Sequence, residues 1–175
     1  VDTTLGVVDD PPLKGASFGG FEFPNPDDLP VYGFIEENNR DYPTHYHMIS
    51  IGFALFERAW ALCGMAELMM HLVLEQAFVE DLLDRITEYN IALIHNAASI
   101  GGIDCVHYGD DWGSQNGPLI CPDLWRELVK PRFMRTCQAA EACGLQNSLH
   151  CCGNVAELMP DIIECGVDVF DPFQP

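Results

Sequence analysis

Basic residues are scarce in this chain: 8 lysines and arginines stand against 27 aspartates and glutamates in 175 residues, a formal charge of −19. Nucleic-acid binders hold phosphates with cations, so this balance excludes nucleic acid as an expected partner. The same charge repels anionic lipid, and no uninterrupted apolar run approaches the roughly 20 residues that cross a bilayer. No lysine or arginine precedes Lys14 and no apolar signal core follows the start, so secretion is not expected. A glycine-rich phosphate loop is also missing after every strand-like segment, which argues against a dinucleotide-binding sheet. Nor is there a small disulfide scaffold. The 8 cysteines lie mostly inside apolar helical or strand-like stretches, where they read as reduced, largely buried thiols in a cytoplasmic protein.

What the chain does have is apolar material, 48% of its residues, enough for one domain with a sizeable core. The first thirty residues, with "DDPPLKGASFGGFEFPNPDDLP", show no sustained periodicity and predict an extended, loop-rich segment. Thr44 to Phe53 predicts a strand. Three helices follow: "FERAWALCG" stopping at Gly64, "MAELMMHLVLEQ", and "FVEDLLDRITEYNIALIHNAASIG". In the last, Phe78, Leu82, Leu83, Ile86, Tyr89, Leu93 and Ala97 form the expected core stripe. "IDCVHYGDDW" predicts a buried strand ending in two acids. A helix then opens at Pro122, is kinked by Pro131 and ends at Gly144. Strand "LQNSLHCC", helix "VAELMPDIIECG" and strand "VDVFDPF" complete the chain.

Alternating strands and helices mark parallel βαβ units. About four strands are half of a (β/α)₈ barrel, a fold of about 250 residues. The expectation is therefore an α/β chain, residues 1–175, forming part of a single barrel domain. The sheet edges left open would be covered by further chain or by self-association into a homo-oligomer.

Three clusters carry candidate chemistry. In "LQNSLHCC" the alternation of a strand puts His150 and Cys152 on one face and Cys151 on the other. An imidazole and a thiolate at the C-terminal end of a barrel strand sit where barrel enzymes keep their active sites, and both are good zinc ligands. A redox pair of Cys151 with Cys152 is disfavoured because neighbours on a strand point apart. In "GDDWGSQNGP", Asp110 and Asp111 end a strand, and at least one is expected to face the same mouth. Such acids serve as a metal ligand, as a general acid or base, or as N-terminal partners of the following turn. His45 and His47 share a face and are candidates for the same cavity, although plain polarity suffices for them. His71 and His95 read as structural, and His107 and Tyr108 face opposite ways without an assigned role.

The segments "HYGDDWGSQNGPLICPDLWRELVKPRFMR", "SLHCCGNV" and "LMPDIIECGVDVFDPFQP" resemble the uroporphyrinogen decarboxylase superfamily, whose members are (β/α)₈ barrels. The likeness runs over roughly residues 42–175. Its decarboxylases use an arginine-rich N-terminal segment that is missing here, and they tend to lack the His-x-Cys pair. His150 and Cys152 instead match the cobalamin-dependent methyltransferase branch, of the methylcobamide:coenzyme M type. That resemblance implies zinc held by His150, Cys152 and a cysteine further along than Pro175. It also implies a methylated corrinoid carried by a partner corrinoid protein as methyl donor, and a small-molecule thiol or similar methyl acceptor. On this reading Asp110 positions substrate or takes a coordination position, Gln115 assists by hydrogen bonding, and Asp111 packs at the loop. Cys121 stands where the family usually has a serine before the helix-opening proline, and cysteine caps poorly. The rivals are cofactor-free decarboxylation, which needs cations for substrate carboxylates, and a non-catalytic barrel domain of a corrinoid assembly.

Overall fold

The computed structural model of the chain describes residues 8–174. Four parallel strands form its sheet: β1 (Met48–Ile51), β2 (Cys105–Gly109), β5 (Gln146–His150) and β6 (Val169–Asp171). They lie side by side in the order β1-β2-β5-β6, with all three pairings parallel. A short antiparallel hairpin, β3 (Gly113–Ser114) and β4 (Gly117–Pro118), stands beyond the end of β2. Sequential parallel strands joined by helices are the repeating unit of a (β/α)₈ barrel, and the described residues make about half of one.

Helices α2 (Phe56–Cys63), α3 (Met65–Leu74) and α4 (Gln76–Ile100) connect β1 to β2. α4 buries Val79, Leu82, Leu83, Ile86, Thr87, Asn90, Ile94 and Ala97. The expected stripe shares four of these; Phe78, Tyr89 and Leu93 flank it, half-buried. The helix opening at Pro122 is broken rather than bent. α5 (Pro122–Leu128) ends at Val129, and α6 (Lys130–Ala142) restarts with Pro131 in its first turn, where the missing N–H costs nothing. Cys121, preceding α5, makes no side-chain cap hydrogen bond. A 3-10 turn (Ala156–Leu158) leads into α7 (Met159–Glu164).

Residues 8–29 are irregular apart from a 3-10 turn at Pro26–Asp28, yet the segment is anchored. Leu13 is buried, and its N–H donates to Leu62 O at 2.9 Å. α1 (Val31–Asp41) is a helix where the sequence suggested no element. It buries only Ile35, and its mixed polar sequence carries little helical periodicity.

The sheet has two different faces. Val106, Tyr108, Leu149 and Cys151 point into the apolar layer shared with the helices. There Trp112 stacks edge-on with Trp125 and Phe133 at 5.0 and 5.1 Å, and Tyr108 meets Phe133 at 5.4 Å. Aromatic clusters of this kind supply much of a core's stabilisation. The other face carries His107, Ser148, His150 and Asp171, so the inward side of the sheet is polar where it approaches the strand ends. Between α4 and α6, Arg132 grips Asp84 through Nε and Nη2 at 2.9 and 3.0 Å.

The hairpin docks on the turn after β5, with Asn154 N donating to Ser114 O at 2.7 Å. This approach requires glycine on both sides. Gly153 has φ +85°, and a Cβ on it would collide with the Gly113 backbone. A Cβ on Gly113 would in turn lie 2.6 Å from Cys152 O. Gly153→Ala should therefore cost at least about 1–3 kcal/mol, measured by urea unfolding. An unchanged unfolding midpoint would contradict this tight seat for the turn that carries Cys152.

Candidate metal centre

At the C-terminal ends of the strands, one ligand atom each of Asp111, His150 and Cys152 lies within 4.8 Å of the others. Two strands bring them together. β5 ends at His150 and its alternation carries Cys152 to the same face; the chain leaving β2 carries Asp111. The loops are tied by Cys152 N donating to Asp111 Oδ1 at 2.7 Å. His150 Nε2 sits 3.2 Å from Cys152 Sγ, while its Nδ1 is 3.1 Å from Asp171 Oδ2.

The two neighbouring aspartates are placed differently, Asp111 at the strand ends and Asp110 in the core. Asp110, not Asp111, is the packed one: it is fully buried and turned away from the mouth. Its Oδ1 accepts from Leu55 N at 3.1 Å and Glu57 N at 2.8 Å. Oδ2 accepts from Phe56 N at 3.0 Å and from the Trp112 indole at 2.6 Å. Leu55 offers no side-chain cap to α2, so Asp110 caps that helix from another element. Burial pushes its carboxyl up to about 6 and the backbone donors pull it back. With four donors on two oxygens it has no free position for substrate or metal, which corrects the expectation for Asp110. Gln115 also departs from expectation: it is exposed in the turn of the hairpin, and its side chain makes no hydrogen bond among the described residues. The glutamine that does reach the neighbouring turn after β5 is Gln174, whose Oε1 accepts from Gly153 N.

His45 and His47 precede β1 and lie at the opposite end of the sheet. His47 Nε2 is 2.8 Å from Tyr42 O, and its backbone N–H donates to Asp104 Oδ2 at 2.7 Å. They line a separate cavity of about 290 Å³ with Asn39, Gly101 and Asp104. His71 is buried beside Phe78, and His95 is exposed. His107 is on the inward face, 3.0 Å from Ser148 Oγ, with its ring 6.5 Å from that of His150. Cavities of about 620 and 510 Å³ lie among α4, α1 and the N-terminal segment, away from the Asp111, His150 and Cys152 cluster.

One residue of the site escaped sequence reasoning. Glu57, in the first turn of α2, is buried beside Asp111. Burial, then the charges of Asp110 and Asp111, push its carboxyl up to about 7. An acid in a helix's first turn is so ordinary that only its apolar surroundings in "LFERAW" set it apart.

The cluster fits a cation. Asp111, Glu57, Asp171 and Cys152 converge with no lysine or arginine paired to them among the described residues, and His150 is the one partner recorded for Asp171. Burial raises the Cys152 thiol, and Asp111, Glu57 and Asp171 raise it further. A bound divalent ion inverts that balance and favours the thiolate. Zinc held tetrahedrally by a nitrogen at about 2.1 Å and a sulfur at about 2.3 Å sets them about 3.6 Å apart. The observed separation needs to widen by only a few tenths of an ångström. Cys151 is no part of this: it is buried on the helix side, its thiol pushed up to about 12 by burial, and its Sγ accepts from Trp112 N at 3.2 Å.

A family model described as Uroporphyrinogen decarboxylase (URO-D) matches residues 4–172. Among solved structures, a methyltransferase from Methanosarcina mazei superposes with a TM-score of 0.68 at 23% identity, over 80% of this chain and 40% of that one. The chain thus spans about 40% of the length of that structure. None of the curated proteins matches the chain.

Two measurements check the electrostatics. Asp110→Ala strands three helix N–H groups and an indole N–H, and should cost about 3 kcal/mol or more in urea unfolding; a loss under about 1 kcal/mol would deny its capping role. In the metal-free protein, Glu57 binds its proton more tightly folded than unfolded, between its ordinary value of 4.5 and about 7. Stability from this group is thus full below pH 4.5 and is lost as pH rises from there to about 7. Glu57→Gln should flatten that dependence, and an unaltered pH profile would contradict the placement of Glu57.

Proposed function

The chain belongs to the uroporphyrinogen decarboxylase family, and on that premise we propose that it is the metal-binding part of a zinc-dependent methyltransferase. The reaction is transfer of a methyl group from a methylated corrinoid, presented by a partner corrinoid protein, to a small-molecule thiol or similar acceptor. The observation that carries this reading is the convergence of His150, Cys152 and Asp111 at the strand ends, with no lysine or arginine paired to them among the described residues. The methyltransferase likeness in fold agrees with it, and so does the resemblance of the His-x-Cys segment to the methyltransferase branch. The 8 unpaired cysteines suit a reducing, cytoplasmic setting.

His150 through Nε2 and Cys152 through Sγ would hold the ion, with Asp111 beside them and a further cysteine of the full protein completing the set. When bound, zinc supplies the positive charge that keeps an acceptor thiol deprotonated at neutral pH. The chain's own groups handle the proton. Glu57, poised near neutrality behind Asp111, suits a general base that receives the acceptor's proton. A methylated corrinoid would supply the methyl group, its cobalt keeping the electron pair of the carbon–cobalt bond as the acceptor sulfur gave its own pair to the methyl carbon. Asp110 stays outside this chemistry and holds α2, and with it Glu57, in place.

Full-length protein should carry about one zinc per chain. His150→Ala and Cys152→Ser should lose it, whereas Cys151→Ala should keep it at a stability cost of about 1–3 kcal/mol. Equal zinc in wild type and Cys152→Ser, by elemental analysis, would sink the metal assignment. With a thiol acceptor the protein should consume methylcobalamin, followed by loss of the cobalt–methyl absorbance, and release no CO₂ from a porphyrinogen. Decarboxylation persisting in His150→Ala would place it instead in the cofactor-free branch.

A further inference from the structure

We propose that Asp171 is a positioning residue that sets the tautomer and orientation of His150, leaving Nε2 as the ring nitrogen free to bind metal. The inference rests on reading Asp111, His150 and Cys152 as a metal centre, and it adds a residue outside that set. Its basis is the ladder between β5 and β6, which pairs His150 with Asp171 in parallel register. Cys151 N donates to Asp171 O at 2.9 Å just beyond this pair, so the backbone of Asp171 is held where its side chain meets the imidazole.

The hydrogen bond then decides the proton's place. Asp171 Oδ2 lies 3.1 Å from His150 Nδ1, and an ionised carboxylate can only accept. Nδ1 is therefore the donor. A neutral imidazole has one N–H, so Nε2 keeps its lone pair, and that lone pair faces Cys152 Sγ at 3.2 Å. Were Asp171 absent, the ring could take either tautomer and rotate, and the Nε2–H tautomer would offer the metal an N–H. A carboxylate behind a metal-bound histidine also raises the basicity of the ligand, and losing such a partner typically weakens metal binding about 10–100-fold. The side chain of Asp171 is 53% exposed, so its effect comes through geometry and tautomer more than through unscreened charge.

The test uses full-length protein and Zn²⁺ competed against a chromophoric chelator. Asp171→Ala should bind Zn²⁺ about 10–100-fold more weakly, with the melting temperature of the metal-free protein unchanged. Asp171→Asn, whose amide oxygen can still accept from Nδ1–H, should recover part of the loss. Long-range ¹H–¹⁵N correlations should report His150 of the metal-free wild type as the Nδ1–H tautomer and shift toward Nε2–H in Asp171→Ala. Zinc affinity within twofold of wild type in Asp171→Ala, or an Nε2–H tautomer in wild type, would overturn the proposal. Wild type that binds no zinc would refute the metal reading itself, and the tautomer measurement would still decide the role of Asp171.

Discussion

The buried Asp110 carboxylate accepts N–H groups from Leu55, Phe56 and Glu57 and from the Trp112 indole, and so fastens the end of β2 to the start of α2. Two consequences reach the mouth of the sheet. Glu57 is brought behind Asp111, and Asp111 is turned toward the strand end where His150 and Cys152 emerge. A carboxylate at this depth is costly unless its oxygens are saturated, and here donors fill them. The same saturation removes Asp110 from chemistry.

Parallel register does the rest of the placing. Gly109, His150 and Asp171 are successive partners across β2, β5 and β6. One row of the ladder thus carries an open glycine position, the His150 imidazole and the carboxylate that meets it. The glycine pair at Gly113 and Gly153 lets the hairpin close over the turn that carries Cys152. Toward the strand ends the inward face is polar, with His107, Ser148, His150 and Asp171, while Val106, Tyr108 and Leu149 pack outward under the helices. The cluster gathers carboxylates and one thiol with no lysine or arginine paired to them among the described residues, an arrangement that a divalent cation relieves.

Much of this was legible from local pattern. The order of strands and helices, the ends at Gly64 and Gly144, and the opposite facing of Cys151 and Cys152 follow from periodicity and turn chemistry. The break at Val129 was marked by Pro131, although a kink was the expectation. What was not legible depends on contacts distant in sequence. Whether Asp110 or Asp111 faces the mouth is set by where the chain leaves β2 after Gly109 and by the N–H groups of a helix some fifty residues earlier. Gln115 was placed by resemblance, and the hairpin turn carries it into solvent. Glu57 and Asp171 look like an ordinary first-turn acid and an ordinary strand-end acid until the fold sets them beside Asp111 and His150. His45 and His47 share the pattern of strand-borne ligands but lie at the wrong end of β1.

The central claim is that His150 and Cys152 hold one zinc ion. X-ray absorption at the zinc edge of the full-length protein tests it most directly. The account predicts a first shell with sulfur at about 2.3 Å and nitrogen or oxygen at about 2.0–2.1 Å, the sulfur component falling in Cys152→Ser. A shell of nitrogen and oxygen alone, unchanged by that substitution, would contradict it.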